Sequence, residues 1–191
     1  MTDQQIEIRA FRPADAQPVT ALFARINRQL APVGQAEVFE RYIARSIADE
    51  LGDIPAYYAA ARGSGFWVAV QDGQLAGFFG LEPAGQGAAE LRRMYVAPEY
   101  RRRGLGRRLL ANAESMARQM GYDRMDLSTS VLQDAALALY RNAGYEEIGE
   151  AVAMTPSNKT LGGGIRRYHF TKQLGPQPET WPETWNQETR E

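Results

Sequence analysis

With 191 residues, 44% of them hydrophobic and 24% charged, the chain is long enough for one domain with a full core and is ordinary in composition. A formal net charge of −1 argues against a general nucleic-acid binder, and the lack of cysteine excludes disulfides, thiolate metal sites and a cysteine nucleophile. No apolar run approaches the roughly 20 residues of a membrane span, and the polar start MTDQQIEIR does not read as a signal peptide, so the expectation is a cytoplasmic protein with no membrane and no nucleic-acid partner.

Residues 6–11 alternate apolar and polar side chains, the pattern of a half-buried strand. Asp15 is placed to cap a helix over 19–30, and Val38, Phe39, Tyr42, Ile43 and Ile47 mark a second helix over 36–51. Gly52, Asp53 and Pro55 end it, and Tyr57 and Tyr58 fall on a short helical turn. The runs FWVAV and LAGFFGLE flank Gln71-Asp72-Gly73-Gln74, and Asp-Gly between apolar runs signals a hairpin. PAGQG then turns the chain into a third strand over 89–96. In the next helix Leu105, Leu109, Ala113, Met116 and Met120 share one face, and Gly121 stops it. Residues 123–128 read as a strand and 133–142 as a helix ended by Gly144. Residues 145–152 form a strand, PSNKTLGGG a flexible stretch, and 166–172 the last strand. The expected organisation is a single mixed α/β (α+β) domain over 1–172, with a polar extension over 173–191 whose Trp181 and Trp185 are free to dock.

The most informative segment is ELRRMYVAPEYRRRGLGRRLL, residues 90–110: a strand, an arginine-rich loop with Gly104 and Gly106, and a helix start. Amides that open a helix have no intrahelical partner, and the helix dipole adds positive potential there. Arg101, Arg102, Arg103, Arg107 and Arg108 surround the same turn, so a phosphate-bearing cofactor is expected on it. Leu109 stands where a dinucleotide fingerprint needs a third glycine, and no Gly-Lys-Ser/Thr is present for a nucleotide-triphosphate loop.

In element order the chain resembles the GNAT superfamily of acyl-CoA-dependent N-acyltransferases, most sharply over 90–149. Arg101-Arg102-Arg103-Gly104-Leu105-Gly106 matches that family's Gln/Arg-x-x-Gly-x-Gly/Ala turn, which holds the coenzyme A pyrophosphate on backbone amides. Residues 138–145, ALYRNAGY, are similar to its second signature, Leu-Tyr-x-x-x-Gly-Phe/Tyr. The resemblance implies a central mixed sheet flanked by helices, acetyl-CoA as donor and no metal. It assigns the backbone of Met94 and Val96 to the acetyl carbonyl and pantetheine arm. Arginines beyond the cradle, Arg107 included, either meet the 3′-phosphate or face solvent.

The implied activity is transfer of an acetyl group to a primary amine of a small molecule or peptide, by direct attack in a ternary complex. Glu90 matches a glutamate that serves as base in some members, and Tyr140 the tyrosine that points at the coenzyme sulfur. Where the family often carries Asn near the cofactor, this chain has Gln133. His169, the only histidine, reads as a packing or surface residue. The acceptor groove is expected between residues 26–58 and the loop 151–165, where no dense acidic cluster marks a polycation. Tyr42, Tyr57, Tyr58 and Trp67 belong either to that groove or to an aromatic core. The competing reading is a catalytically silent coenzyme A sensor or interaction module. A homodimer is left open.

Overall fold

The computed structural model describes residues 6–58 and 63–175. The proposed docking of Trp181 and Trp185 lies outside the described residues. In chain order the elements are β1 (Glu7–Ala10), α1 (Ala16–Leu30), α2 (Ala36–Asp49), the four-residue α3 (Ile54–Tyr57), β2 (Gly65–Gln71), β3 (Gln74–Gly85) and β4 (Ala88–Val96). They continue as α4 (Leu105–Gln119), β5 (Arg124–Ser130), α5 (Asp134–Asn142), β6 (Glu146–Ala153) and β7 (Ile165–Gln173). All seven strands join one sheet in the order β1-β2-β3-β4-β5-β7-β6. β1 to β4 form an antiparallel meander, and the single parallel pair is β4–β5, bridged by α4. β7 inserts between β5 and β6.

Local chemistry sets these elements. Asp72 and Gly73 both adopt positive φ, 53° and 74°, so the β2–β3 hairpin turns as the Asp-Gly pair predicts. Leu105, Leu109, Ala113 and Ala117 recur at helical spacing and bury against Phe79, Leu81, Met125, Leu127 and Phe170 on one sheet face. The opposite face carries Phe66, Val68 and Phe78 under Phe23, Phe39 and Ile43 of α1 and α2. Helices cover that second face only over β1 to β4, leaving the β5–β7–β6 half open. Among the described residues no helix is long and apolar enough to cross a membrane.

Three sequence expectations change. Asp15 does not cap α1: it sits inside a 3-10 turn, where its carboxylate accepts from the Arg12 amide at 2.7 Å and from Arg9 at 2.7 and 2.9 Å. The stretch after β6 is anchored, with Leu161 buried in the second core and Gly162 packed on Pro156. The ordered domain also runs past 172, because the Leu174 amide donates to Asp123 O at 2.7 Å and its carbonyl accepts from Arg118 at 2.7 and 2.9 Å.

Candidate active site

β4 and β5 pair only from Ala88↔Arg124 to Leu91↔Leu127 and then part. The cause sits in β4. Its register against β3 slips between Phe78↔Tyr95 and Gly80↔Arg92, and Arg93 takes φ 54° at the bulge. Such a conformation costs a non-glycine residue about 1–3 kcal/mol. Charge-assisted hydrogen bonds offset that cost: the Arg93 guanidinium donates to Glu50 at 2.7 and 3.1 Å and to the Tyr42 hydroxyl at 2.7 Å. Arg92 joins the same cluster, donating to Glu50 at 2.7 Å and to Glu82 at 2.9 Å. These two arginines therefore turn into the protein and away from the glycine turn.

The parting strands leave a cleft that is lined by Met94, Ser128, Thr129, Gln133, Ala136 and Tyr140 among others. Ala97 N–H donates to Ala76 O at 2.8 Å, and backbone direction alternates along a strand. The polar backbone atoms of Val96 and Met94 accordingly face away from β3, toward the cleft, where Val96 O accepts from Arg101 Nε at 3.3 Å.

The glycine turn closes one end of this edge. Gly104 adopts φ +80° without a side-chain cap, and the first intrahelical bond of α4 runs from Arg108 N–H to Gly104 O, 3.1 Å. The amides of Leu105, Gly106 and Arg107 are thus bare of helical partners. A Cβ at Gly106 would lie 3.5 Å from Leu139 and 3.9 Å from Val96, ordinary contact distances. The protein itself does not require glycine there, and its absence of side chain leaves space beside the amides. This fits a pyrophosphate laid on the turn.

The arginines are less convergent than the sequence implies. Arg101 binds Val96 O, Arg103 lies over the Tyr100 ring at 5.8 Å, and Arg108 donates to Ile6 O at 2.9 Å. Arg102 and Arg107 are exposed and carry no hydrogen bond or ion pair among the described residues.

Tyr140 is 5% exposed, and its ring packs on Tyr145 and Phe170 while the residue lines the cleft. Burial pushes its phenol above the ordinary range, with the Arg167 guanidinium pulling back. Gln133 lines the cleft too, but its Oε1 accepts from Thr129 Oγ1 at 2.7 Å and from the Ser130 amide at 3.4 Å, leaving its NH₂ group to donate. Arg167 on β7 falls within no sequence motif. It lies at the same cleft, lowered from the usual guanidinium range by burial, and donates to Ser128.

Glu90 lies in register with Glu82 on β3 and Asp126 on β5, so three carboxylates cross adjacent strands on one face. Sequence separation hid this acidic row. Beside it the open half of the sheet forms a groove with Ser128, Ala151, Ala153, Arg167 and His169. His169 is exposed on that face rather than packed. Of the aromatics, Tyr42 reaches the cleft, Tyr57 donates to Glu82 at 3.0 Å, Tyr58 is core, and Trp67 stacks on Phe79 on the far face.

A family model described as Acetyltransferase (GNAT) family matches residues 23–145. N-acetyltransferase family 8 member 3 of Rattus norvegicus is 36% identical over 117 residues, 59% of this chain and 51% of that protein. N-acetyltransferase 8 of Homo sapiens is 30% identical over 115 residues, covering 58% and 51%. The chain spans about half the length of these curated relatives. Among solved structures, PaiA N-acetyltransferase from Thermoplasma acidophilum in complex with coenzyme A has a TM-score of 0.67 at 22% identity, covering 88% of this chain and 99% of that one. The Salmonella typhimurium protein yncA, with its cofactor acetyl-CoA, has a TM-score of 0.67 at 20% identity, covering 90% and 95%. At these identities the structural likeness speaks to the fold.

Proposed function

This chain belongs to the GNAT acetyltransferase family, and from that premise we propose that it transfers the acetyl group of acetyl-CoA directly to a primary amine of a small molecule or peptide. The observation that carries the reading is the open β4 edge running from the bare amides of α4 into the cleft beside Tyr140. Leu105, Gly106 and Arg107 amides take the pyrophosphate, with exposed Arg102 and Arg107 adding charge. Met94 and Val96 pair with the amide-bearing pantetheine arm as a neighbouring strand would. Gln133 donates to the same arm.

An alkylammonium with pKa near 10.4 resists losing its proton at neutral pH by about 4–5 kcal/mol, so a base helps. Glu90, at the point where the strands part, takes that proton. Full transfer from a phenol near 10 to a thiolate near 8.5 is uphill by roughly 2 kcal/mol before burial raises Tyr140 further. Tyr140 therefore acts as hydrogen-bond donor to the departing thiolate, and the Arg167 charge supports both. Residues 26–58 of the groove, with the face carrying His169, receive the acceptor.

Calorimetry with acetyl-CoA, followed by free-thiol release across an amine panel, tests this reading. Binding with amine-dependent thiol release supports it; binding without release in any amine would favour the sensor, and no binding would end both.

A further inference from the structure

Lys159 stands at the junction of the cleft and the groove and lines both. Its ammonium donates to Glu90 Oε2 at 2.8 Å and to Glu82 Oε1 at 2.5 Å, so a primary amine of this chain already sits on the carboxylate assigned as base. The position is held from behind. The carbonyl of Asn158 accepts from Arg93 at 2.5 Å and from Arg92 at 3.1 Å, and the Lys159 amide donates to Ser157 Oγ at 3.1 Å. Leu161, two residues on, is buried. A loop fixed at three points thus presents one amine to the mouth of the donor cleft.

We propose that Lys159 is an intramolecular acetyl acceptor, a self-modification site that rests on the donor-site reading above. One ammonium proton passes to Glu90 and on to solvent, and the freed nitrogen bonds to the acetyl carbon. The thioester C–S bond breaks, and the second proton given up by nitrogen ends on sulfur. The products are an amide at Lys159 and coenzyme A as free thiol. Modification removes the cation that spans Glu82 and Glu90, so the same event leaves both carboxylates open to an external ammonium while the loop stays anchored through Asn158 and Leu161.

The chain supplies its own control, because Lys172 is its only other lysine. That residue is tied to Glu114 at 2.8 Å beside the Tyr145 ring, at the other face of the sheet. The experiment incubates the intact protein with acetyl-CoA and maps acetylation by peptide mass spectrometry, with acetyl-CoA binding measured by calorimetry on the same sample. Lys159 should be acetylated on the order of 10²-fold faster than Lys172, the scale of positioned base help. Its first-order rate should not depend on protein concentration, and Glu90→Gln should slow it by a similar factor while acetyl-CoA affinity holds. If acetyl-CoA binds but Lys159 stays unmodified, or reacts no faster than Lys172, the inference falls and the donor-site reading stands. A rate that climbs with protein concentration also overturns it. Absence of acetyl-CoA binding would remove the donor-site reading and this inference together.

Discussion

Arg167 reaches back across the β5–β7 pair to Ser128, donating to its hydroxyl at 2.8 Å and to its carbonyl at 3.1 Å. Both bonds leave one guanidinium nitrogen, Nη2, and tether it to Ser128, so the charge beside Tyr140 is held in place. Arg167→Gln keeps a donor for Ser128 but removes the charge. Turnover should fall about tenfold or more, some 1.4 kcal/mol of barrier, while acetyl-CoA affinity changes little. Steady-state kinetics beside calorimetry check this, and an equal loss in both would make Arg167 a donor-binding residue instead.

Tyr140→Phe retains the ring that packs against Tyr145 and Phe170 and deletes only the hydroxyl. The stability of the fold should therefore hold. The rate of thiol release should drop by roughly 10²-fold or more, within the span of acid–base contributions, without a matching loss of donor affinity. An unaltered rate would reduce Tyr140 to a core residue.

Gly106 separates structural from ligand demands. Its φ is not in the positive region and a Cβ there finds ordinary contacts, whereas Gly104 at φ +80° needs glycine for the backbone alone. Gly106→Ala should leave the fold as stable or up to about 1 kcal/mol more so, since alanine suits a helix better. Acetyl-CoA affinity should hold in Gly106→Ala, since alanine is the family's alternative at this position, and should fall about tenfold in Gly106→Val, whose larger side chain fills the space beside the amides. Thermal unfolding and calorimetry on each variant separate the two demands; unchanged affinity in Gly106→Val would count against the cradle.

Those two glycines explain why part of the site was legible in the sequence. A turn, a helix start and the tyrosine of α5 are local patterns; alternation located β1, turn signals located the β2–β3 hairpin and β4, and the 3.6 period located the longer helices. What stayed hidden depends on pairing between distant segments. The parting of β4 from β5 arises from a bulge at Arg93, and arginine carries no turn signal. Glu82, Glu90 and Asp126 become neighbours only through strand register. The stretch 156–164 reads as flexible from its Ser, Asn and Gly content, yet Leu161, Asn158 and Lys159 each find partners far away in the chain. Arg101, Arg103 and Arg108 look like anion ligands by proximity, but proximity along a chain does not fix where a long side chain turns.

The buried cluster behind the bulge predicts a stability effect. Glu50 is fully buried and accepts from both Arg92 and Arg93 and from the Tyr58 hydroxyl. Glu50→Ala would leave two guanidinium groups in the core facing an absent anion. The loss should be about 3–5 kcal/mol, the usual cost of removing one partner from a buried ion pair. Urea unfolding measures it, and a loss below about 1 kcal/mol would mean that water or Glu82 replaces the carboxylate.

Glu82 gives the protein an acid-side dependence of defined sign. Burial opposes its charged form, but hydrogen bonds and charge from Lys159 and Arg92 hold its carboxyl down from 4.5 to about 2. Between those values the unfolded chain binds the extra proton, so stability rises with pH across the window. The contribution is complete above the ordinary carboxylate value and disappears as pH falls through about 2. Urea midpoints taken from about pH 6 down to about pH 3 should show wild type losing more stability than Glu82→Gln, the gap between them narrowing toward acid. Because Asp15 is also held low, by Arg9, acid lability of the wild type alone would not isolate the effect; only the difference between the two proteins does. Parallel curves for the two would show that the Lys159 and Arg92 contacts do not favour the ionised form of Glu82.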